Sequence, residues 1–364
     1  MVVPFLSEDP ALVVRTLGLA TSHPRVSEVI GIHGDDAEAV RAVRALSTTY
    51  RLETQRRIGS LRPGKGDAIN TGFDLFLQSD CDRLHFYDAD IKTFDPGWIE
   101  AAESGLDLGY DTVRHFYPRA ATDGMVTAML VRPALAMLWP RSVLARIKQP
   151  LAGEVAFSRR AAEAIAKNDL VRNQSDWGID TLITTISARL GLSIYENCVA
   201  AGKDHQLYGT LEELRTMFGE CLGALQRLRD GPPPEPAAHH ADPEGPPDSH
   251  VSGLVAFDFA ATARLLQRPL TKPQLSLLQA NFDPKLAANL HEQHYEVDTP
   301  VWLDALKVLL TDADISDRDW ETIAFHLWVA RVLNYTSNEV VKGYGHATRY
   351  VEDMVREAML HPIN

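Results

Sequence analysis

Short apolar runs alternate with amphipathic segments along the N-terminal part of the chain. Val2-Val3-Pro4-Phe5-Leu6 reads as a first strand. Asp9-Pro10 is a helix start, Asp at the N-cap and Pro at the first helical position, and the helix runs to about Ala20. Val26 to Ile32 reads as a second strand, and Asp35 to Leu46 as a helix with acids in its first turn. Arg51 to Gln55 is a short strand. Asp67 to Leu77 is a helix that opens directly after a Gly-rich loop. Arg83 to Tyr87 is a further strand, ending in Asp88-Ala89-Asp90. This βαβαβαβ rhythm predicts an α/β fold: a Rossmann-like, mostly parallel sheet with helices on both faces. In such sheets ligands gather at the carboxyl ends of the strands.

The texture changes after Asp230. Residues 231–252 begin with GPPPEPAAHHADPEGPPDSH, rich in Pro, Ala and acids, which cannot bury apolar surface and reads as an extended or disordered linker. His239 and His240 sit inside it and read as solvated rather than metal-bound. From residue 253 to 364 the pattern is helical throughout, as in PVWLDALKVLL and WETIAFHLWVARVLNY. The expected organisation is an α/β domain over 1–230, the linker, and an all-α C-terminal domain.

Composition narrows the function. Of 364 residues, 45% are hydrophobic and 23% charged, as in ordinary soluble domains, and the formal net charge is −13. That balance argues against a nucleic-acid partner and against binding anionic membranes by bulk charge. An anionic substrate would need a local cationic island. Cys81, Cys198 and Cys221 are far apart and form no C-x-x-C, which fits a reduced, cytoplasmic setting. MVVPFLSEDP lacks the features of a signal peptide, and no apolar run approaches a membrane span.

The candidate chemistry starts with HFYDAD. Residues i and i+2 of a strand share a face, so Asp88 and Asp90 can approach one ligand. Carboxylates there suit Mg²⁺ or Mn²⁺, which bridges phosphate oxygens. The loop GSLRPGKGDA contains G-x-x-x-x-G-K from Gly59 to Lys65, but Gly66 stands where a P-loop needs Ser or Thr. The preceding STTYRLETQRR is no buried strand either, so a P-loop NTPase is disfavoured. What remains is a pair of glycines that permits close backbone approach, a helix N-terminus that favours anions, and a charge on Lys65. In SDWGID, Asp176 reads as a capping residue, and Asp180 is either a helix-dipole acid or a site acid. Alone, His205 and Lys203 in GKDHQLYG are unremarkable.

Taken in order, LRPGKGDAINT (61–71), RLHFYDADI (83–91), VRHFYPRAATD (113–123), LWP (138–140), QPLAGE (149–154), SDWGIDTL (175–182), SIYE (193–196), GKDHQLYG (202–209), RTM (215–217) and RVLNYT (331–336) resemble the retaining mannosylglycerate synthases, nucleotide-sugar glycosyltransferases of the GT-A fold. The resemblance implies a mixed, mostly parallel sheet and transfer of mannose from GDP-mannose to D-glycerate with retention, in cytoplasmic synthesis of a compatible solute. It implies Asp90 and His205 as ligands of Mn²⁺ or Mg²⁺, with Asp88 close to the metal. Gln55, Lys65, Asp88, Ala89, Asp90 and Tyr208 would meet the donor. Arg119, Thr127, Trp177, Asp180 and Met217 would line the acceptor pocket, with Asp180, Arg119 and Lys65 serving catalysis. Front-face attack, with the leaving phosphate accepting the acceptor's proton, is preferred to Asp180 as covalent nucleophile. The chain departs from the family at Leu6, where a Lys is usual, which bears on the nucleobase; Gly124 and Ala128 bear on acceptor range. The alternatives are a related transferase using GDP- or UDP-glucose or another small 2-hydroxy acid, and a non-catalytic sugar-nucleotide-binding protein whose helical part makes contacts, including homo-oligomer contacts.

Overall fold

Eight short strands form one sheet: β1 (Val2–Phe5), β2 (Ile30–His33), β3 (Arg51–Thr54), β4 (Arg83–Phe86), β5 (Thr112–Phe116), β6 (Val155–Ser158), β7 (Ile194–Cys198) and β8 (His239–Ala241). The computed structural model describes residues 1–34, 37–47, 49–59, 62–205, 207, 209–244, 255–292 and 296–363. The strand order is β3-β2-β1-β4-β6-β5-β7-β8. Only β6 runs antiparallel to its neighbours β4 and β5; all other pairs are parallel.

The sheet is buried on both faces, with β2 and β5 buried along their whole length. Leu84 and Phe86 of β4 are buried, and helix Lys65–Leu77 covers the sheet there with Phe73, whose ring lies 5.4 Å from that of Phe86 and 5.8 Å from that of Phe157. Tyr87, Phe94, Trp98, Ile99 and Tyr117 form a second buried cluster. Helix Pro10–Thr21 adds Val13 and Leu17 to a third, with Val3 and Phe5 of β1. Each buried side chain of this size contributes roughly 1.5–3 kcal/mol relative to exposure.

Several boundaries differ from expectation for physical reasons. The second strand starts at Ile30 rather than Val26, because the Val26 N–H is turned back to the His23 carbonyl. The helix expected from Asp67 opens at Lys65 after Gly64. Asp67 is buried in its first turn and accepts hydrogen bonds from the N–H groups of Gly64 (3.2 Å) and Ile58 (2.9 Å). The Pro-rich stretch read as a linker supplies β8. Its His239 is buried against the fully buried Glu196 (3.0 Å), whose other oxygen accepts the Lys148 N–H at 2.8 Å. A buried carboxylate needs such donors, and His239 is one of them.

The chain forms two compact units, each made of three segments. The first comprises Met1–Pro118, Lys148–Gln206 and Pro234–Asp248, and holds the sheet. The second comprises Arg119–Ile147, Leu207–Pro233 and Ser249–Asn364. It is built round helix Arg318–Asn338, where Phe218, Phe325 and Trp328 pack together and the Trp302 indole N–H donates to the Met129 carbonyl at 2.7 Å. Buried Arg331 donates to the Val297 carbonyl (3.0 Å) and the Thr299 hydroxyl (3.1 Å). Among the described residues, no helix is long and apolar enough to cross a membrane.

The glycines flanking Lys65 do something other than the ligand approach expected of them. A Cβ on Gly64 would overlap the Ser175 carbonyl, and one on Gly66 would overlap the Gln174 carbonyl. The Asp67 N–H donates to Ser175 O at 3.1 Å, and the Asn70 amide to Gln174 O at 3.2 Å and Val171 O at 2.9 Å. The helix N-terminus is thus docked on the backbone of 171–175, although Ser60 and Leu61 of the loop lie outside the described residues. Gly66→Ser completes the P-loop signature on paper, yet it forces this docking apart. It should lower unfolding stability by about 2 kcal/mol, read by urea denaturation, and confer no ATP binding.

Candidate active site

The Asp88-Ala89-Asp90 segment leaves β4 at the carboxyl edge of the sheet. Ala89 is buried in the cluster with Val3 and Phe5. Asp88 and Asp90 make polar contacts with a second segment, 202–205. The two are tied by the Lys92 N–H to the Asp204 carbonyl (2.7 Å), the Thr93 hydroxyl to the Gly202 carbonyl (3.0 Å), and the Asp204 N–H to the Thr93 hydroxyl (3.1 Å). This brings Lys203 to Asp88 and His205 to Asp90: the i, i+2 spacing of D-x-D meets the i, i+2 spacing of K-x-H.

Asp88 is held at both oxygens. Lys65 Nζ lies 3.2 Å from Oδ1, and Lys203 Nζ lies 3.0 Å from Oδ2. Lys65 also reaches Asp180 Oδ2 at 2.9 Å. Lys203 reaches Glu154 Oε1 at 2.7 Å, and the other Glu154 oxygen accepts the Tyr117 hydroxyl at 3.0 Å. Both lysine side chains are 8% exposed and Glu154 is fully buried. Asp88 fits only because residue 153 is glycine, since a Cβ there would overlap its carboxylate. Asp180, buried in the first turn of helix Gly178–Arg189, thus has a charge partner in Lys65 beyond its own helix dipole.

The charges respond to this packing. Burial works to lower the Lys65 and Lys203 pKa values, but the carboxylates around them prevail and both are raised, so both stay protonated. Burial works to raise Asp88, and the two lysines prevail, holding it well below the usual carboxylate range. Asp180 goes the other way: burial pushes it up to about 6, and Lys65 offsets this only in part. Glu8, also raised chiefly by burial, feels Asp90 and Asp88. In this unit the carboxylates Glu8, Asp88, Asp90, Glu154 and Asp180 outnumber the ammonium groups of Lys65 and Lys203. The cationic island expected for an anionic substrate is thus not supplied by these side chains.

The other expected residues fall into two sets. In the first unit, Trp177 is half-buried with its ring 5.4 Å from Lys65 Nζ, so it is a site neighbour and no core residue. Asp176 caps as expected, accepting the Gly178 N–H at 2.8 Å. Gln55 is buried, its amide 3.5 Å from Asp67. His205 Nδ1 lies 3.8 Å from Asp90 Oδ2, with both side chains partly exposed. The two form a carboxylate–imidazole pair beside Asp88, with ligand types that a divalent cation accepts; among the described residues no group of three or more His, Cys, Asp or Glu converges on one point. Exposed Leu6 offers its N–H to Glu8 at 2.5 Å. In the second unit lie Arg119, its Nε 3.7 Å from Asp123, buried Thr127 in the π-helical turn Val126–Val131, and half-buried Met217 in helix Arg215–Arg229. Gly124 has φ +67°, and a Cβ on it would overlap the Arg119 guanidinium. Tyr208 lies outside the described residues. Sequence reasoning missed Lys203, Glu154, Gly153 and Tyr117 as parts of the site. The repeated i, i+2 spacing was the available signal for Lys203.

The family model "Mannosylglycerate synthase, GT domain" matches residues 1–227, and "Mannosylglycerate synthase C-terminal domain" matches residues 251–355. The chain is 39% identical to the mannosylglycerate synthase of Rhodothermus marinus over 98% of its own length and 93% of that protein's. The chain belongs to the mannosylglycerate synthase family. It is a hexosyltransferase. It is also 40% identical to the mannosylglycerate synthase of Selaginella moellendorffii, over 97% of this chain and 88% of that one. Among solved structures it is similar to glucosyl-3-phosphoglycerate synthase of Mycobacterium tuberculosis crystallised with Mn²⁺, UDP-glucose and phosphoglyceric acid. That match has a TM-score of 0.52 and 23% identity, and covers 65% of this chain and 86% of that one. At that identity the likeness speaks for the fold, which is GT-A.

Asp180 has a testable pH signature. Its raised pKa means the folded chain binds an extra proton between the ordinary value of 3.8 and about 6. Its contribution to stability is therefore full at low pH and declines as pH rises through that window. Activity should move oppositely, falling as pH drops through about 6, because the protonated acid no longer holds Lys65. Asp180→Asn should remove both dependences, measured by denaturation and rate profiles at each pH; superimposable wild-type and variant profiles contradict this reading.

Proposed function

We propose that the chain transfers mannose from GDP-mannose to the 2-hydroxyl of D-glycerate, with retention at the anomeric carbon and with Mn²⁺ or Mg²⁺ bound. The product is mannosylglycerate, a compatible solute. The observation that carries this reading is the ion-paired Lys65–Asp88–Asp180 cluster at the carboxyl end of β4, its Lys65 and Asp180 side chains buried and Asp88 partly exposed, next to the Asp90–His205 pair, in a chain similar to mannosylglycerate synthases along nearly its whole length.

The excess of carboxylates supports a divalent cation, because a nucleoside diphosphate would otherwise meet net repulsion there. Asp90 and His205 would hold the ion, with Asp88 close by; one or two protein oxygens plus substrate phosphates is an ordinary Mg²⁺ arrangement. When bound, it neutralises charge that develops on the leaving diphosphate. Lys65, protonated and nearly dry, adds a fixed positive charge for the same oxygens. The bond from the anomeric carbon to the phosphate oxygen breaks, and its electron pair stays with the diphosphate. The glycerate 2-oxygen bonds to the same face, and its proton passes to a diphosphate oxygen. Asp180 is ion-paired with Lys65. We read it as holding that lysine rather than as a covalent nucleophile. Trp177 walls the sugar site, Arg119 with Thr127 takes the glycerate carboxylate, and Met217 is a further acceptor contact. Gln55, Ala89 and Tyr208 complete the donor contacts. Three free cysteines fit a cytoplasmic enzyme. The functional division is a GT-A part over 1–230 and a helical part over 253–364, which offers the surface for any homo-oligomer.

Incubation of the chain with GDP-mannose, D-glycerate and Mn²⁺ should yield mannosylglycerate, with EDTA abolishing it; UDP-glucose and GDP-glucose run alongside decide the donor. No product with any donor and metal rejects the reading. Asp90→Ala should cut kcat about 100-fold or more and raise the metal concentration needed; intact turnover removes Asp90 from the metal site. Arg119→Ala should raise the glycerate KM about 30-fold and leave the donor KM within about twofold. An unchanged glycerate KM removes Arg119 from the acceptor site.

A further inference from the structure

We propose that Lys203, seated on the buried Glu154, is a positioning residue for the transfer: it fixes one oxygen of Asp88 and so sets where the Lys65 ammonium stands. This rests on the glycosyltransferase reading of the site.

The geometry carries it. Asp88 has an ammonium on each oxygen, but the two lysines are not equivalent. Lys65 also pairs with Asp180, in the first turn of the helix that Trp177 precedes. Lys203 pairs instead with Glu154, which has no exposed surface and whose second oxygen is taken by the Tyr117 hydroxyl. Its segment is stitched to residues 92–93 by three hydrogen bonds at 2.7 to 3.1 Å. Lys203 is therefore anchored to the sheet, while Lys65 is the first residue of a helix. With residue 153 a glycine, the Asp88 carboxylate packs close against the chain there. Lys203 holds the oxygen that Lys65 does not. Without that contact, Asp88 loses one of its two ammonium partners, and Lys65 is drawn between Asp88 and Asp180 with one anchor fewer. A charge displaced by about 1 Å from a developing phosphate charge loses much of its effect on the transition state.

The role differs from that of a buried ion pair that only stabilises the fold. Loss of a structural pair lowers the folded fraction and scales all activity alike. Loss of a positioning residue acts on the donor side and spares the acceptor. Lys203→Met, Lys203→Arg and Glu154→Gln should be compared with wild type, using GDP-mannose, or whichever nucleotide sugar the wild type turns over, and D-glycerate. Lys203→Met should lower kcat about 30-fold and raise the donor KM, with the glycerate KM within about twofold. Lys203→Arg, which keeps the charge on a longer side chain, should recover at least half of that loss on a logarithmic scale. Glu154→Gln, which keeps the shape and removes the anchor's charge, should shift kcat in the same direction by about fivefold, and it tests the idea if the Met variant does not fold. Changes in kcat and both KM values that track the folded fraction, or a kcat and donor KM within twofold of wild type in a folded Met or Gln variant, overturn the proposal. A wild type inactive on GDP-mannose but active on another nucleotide sugar overturns the donor assignment and leaves this comparison standing.

Discussion

Asp88 sits where a carboxylate is costly to place, and the elements around the site are arranged to make it possible. A buried anion needs compensation from charge and hydrogen bonds at once. Here the charge compensation arrives from two directions, the first turn of helix Lys65–Leu77 and the segment 202–205 after β7, and the residues just before β6 add the space of Gly153 and the anchor of Lys203. The mixed topology explains the last of these. β6 runs antiparallel between β4 and β5, with Val155 opposite Phe86. It therefore enters the sheet at the edge where its neighbours end, and Gly153 and Glu154, which precede it, arrive beside Asp88. A wholly parallel sheet would place the start of that strand at the far edge.

The lysines depend on the carboxylates as much as the reverse. Neither would remain charged at its burial without Asp88, Asp180 and Glu154. The five-membered arrangement is cooperative in the sense that removal of any member leaves a neighbouring charge less compensated. Its members also differ in setting: Glu154 is held by Tyr117 and Lys203, Lys203 links it to Asp88, Lys65 links Asp88 to Asp180, and burial raises the Asp180 pKa to about 6.

The strand and helix rhythm of the sheet was legible in the sequence because period-2 and period-3.6 patterns are local, and every strand read before residue 90 lies in the structure within a few residues of its expected place. D-x-D was legible for the same reason. Asp180 was undecided because a first-turn acid has a local explanation that serves equally well. Lys203, Glu154 and Gly153 were not singled out because their meaning is wholly non-local: each is ordinary in its own segment and acquires a role only when three segments meet. The flanking glycines of Lys65 misled in the opposite way. A local motif suggested a ligand, whereas the nearest neighbour is the chain's own backbone at 174–175. The Pro-rich stretch misled through composition, since edge strand β8 needs only three residues and one buried histidine to join the sheet.

The charge count at the site connects its local chemistry to the acidity of the whole chain. With a net charge of −13 and a cluster in which carboxylates exceed ammonium groups, the side chains of the site and the protein around it both repel a nucleoside diphosphate. Lys65 cannot correct this, because its charge is already matched by Asp88 and Asp180. Its value to catalysis lies in where it stands rather than in attraction of the donor: a matched charge of fixed position contributes little to ground-state binding, yet it still favours charge that appears on the neighbouring oxygen during transfer. On the proposed transfer, binding and catalysis would thus draw on different groups: the Asp90–His205 pair for the cation that overcomes the repulsion, and the Lys203–Asp88–Lys65 line for the charge that must not move.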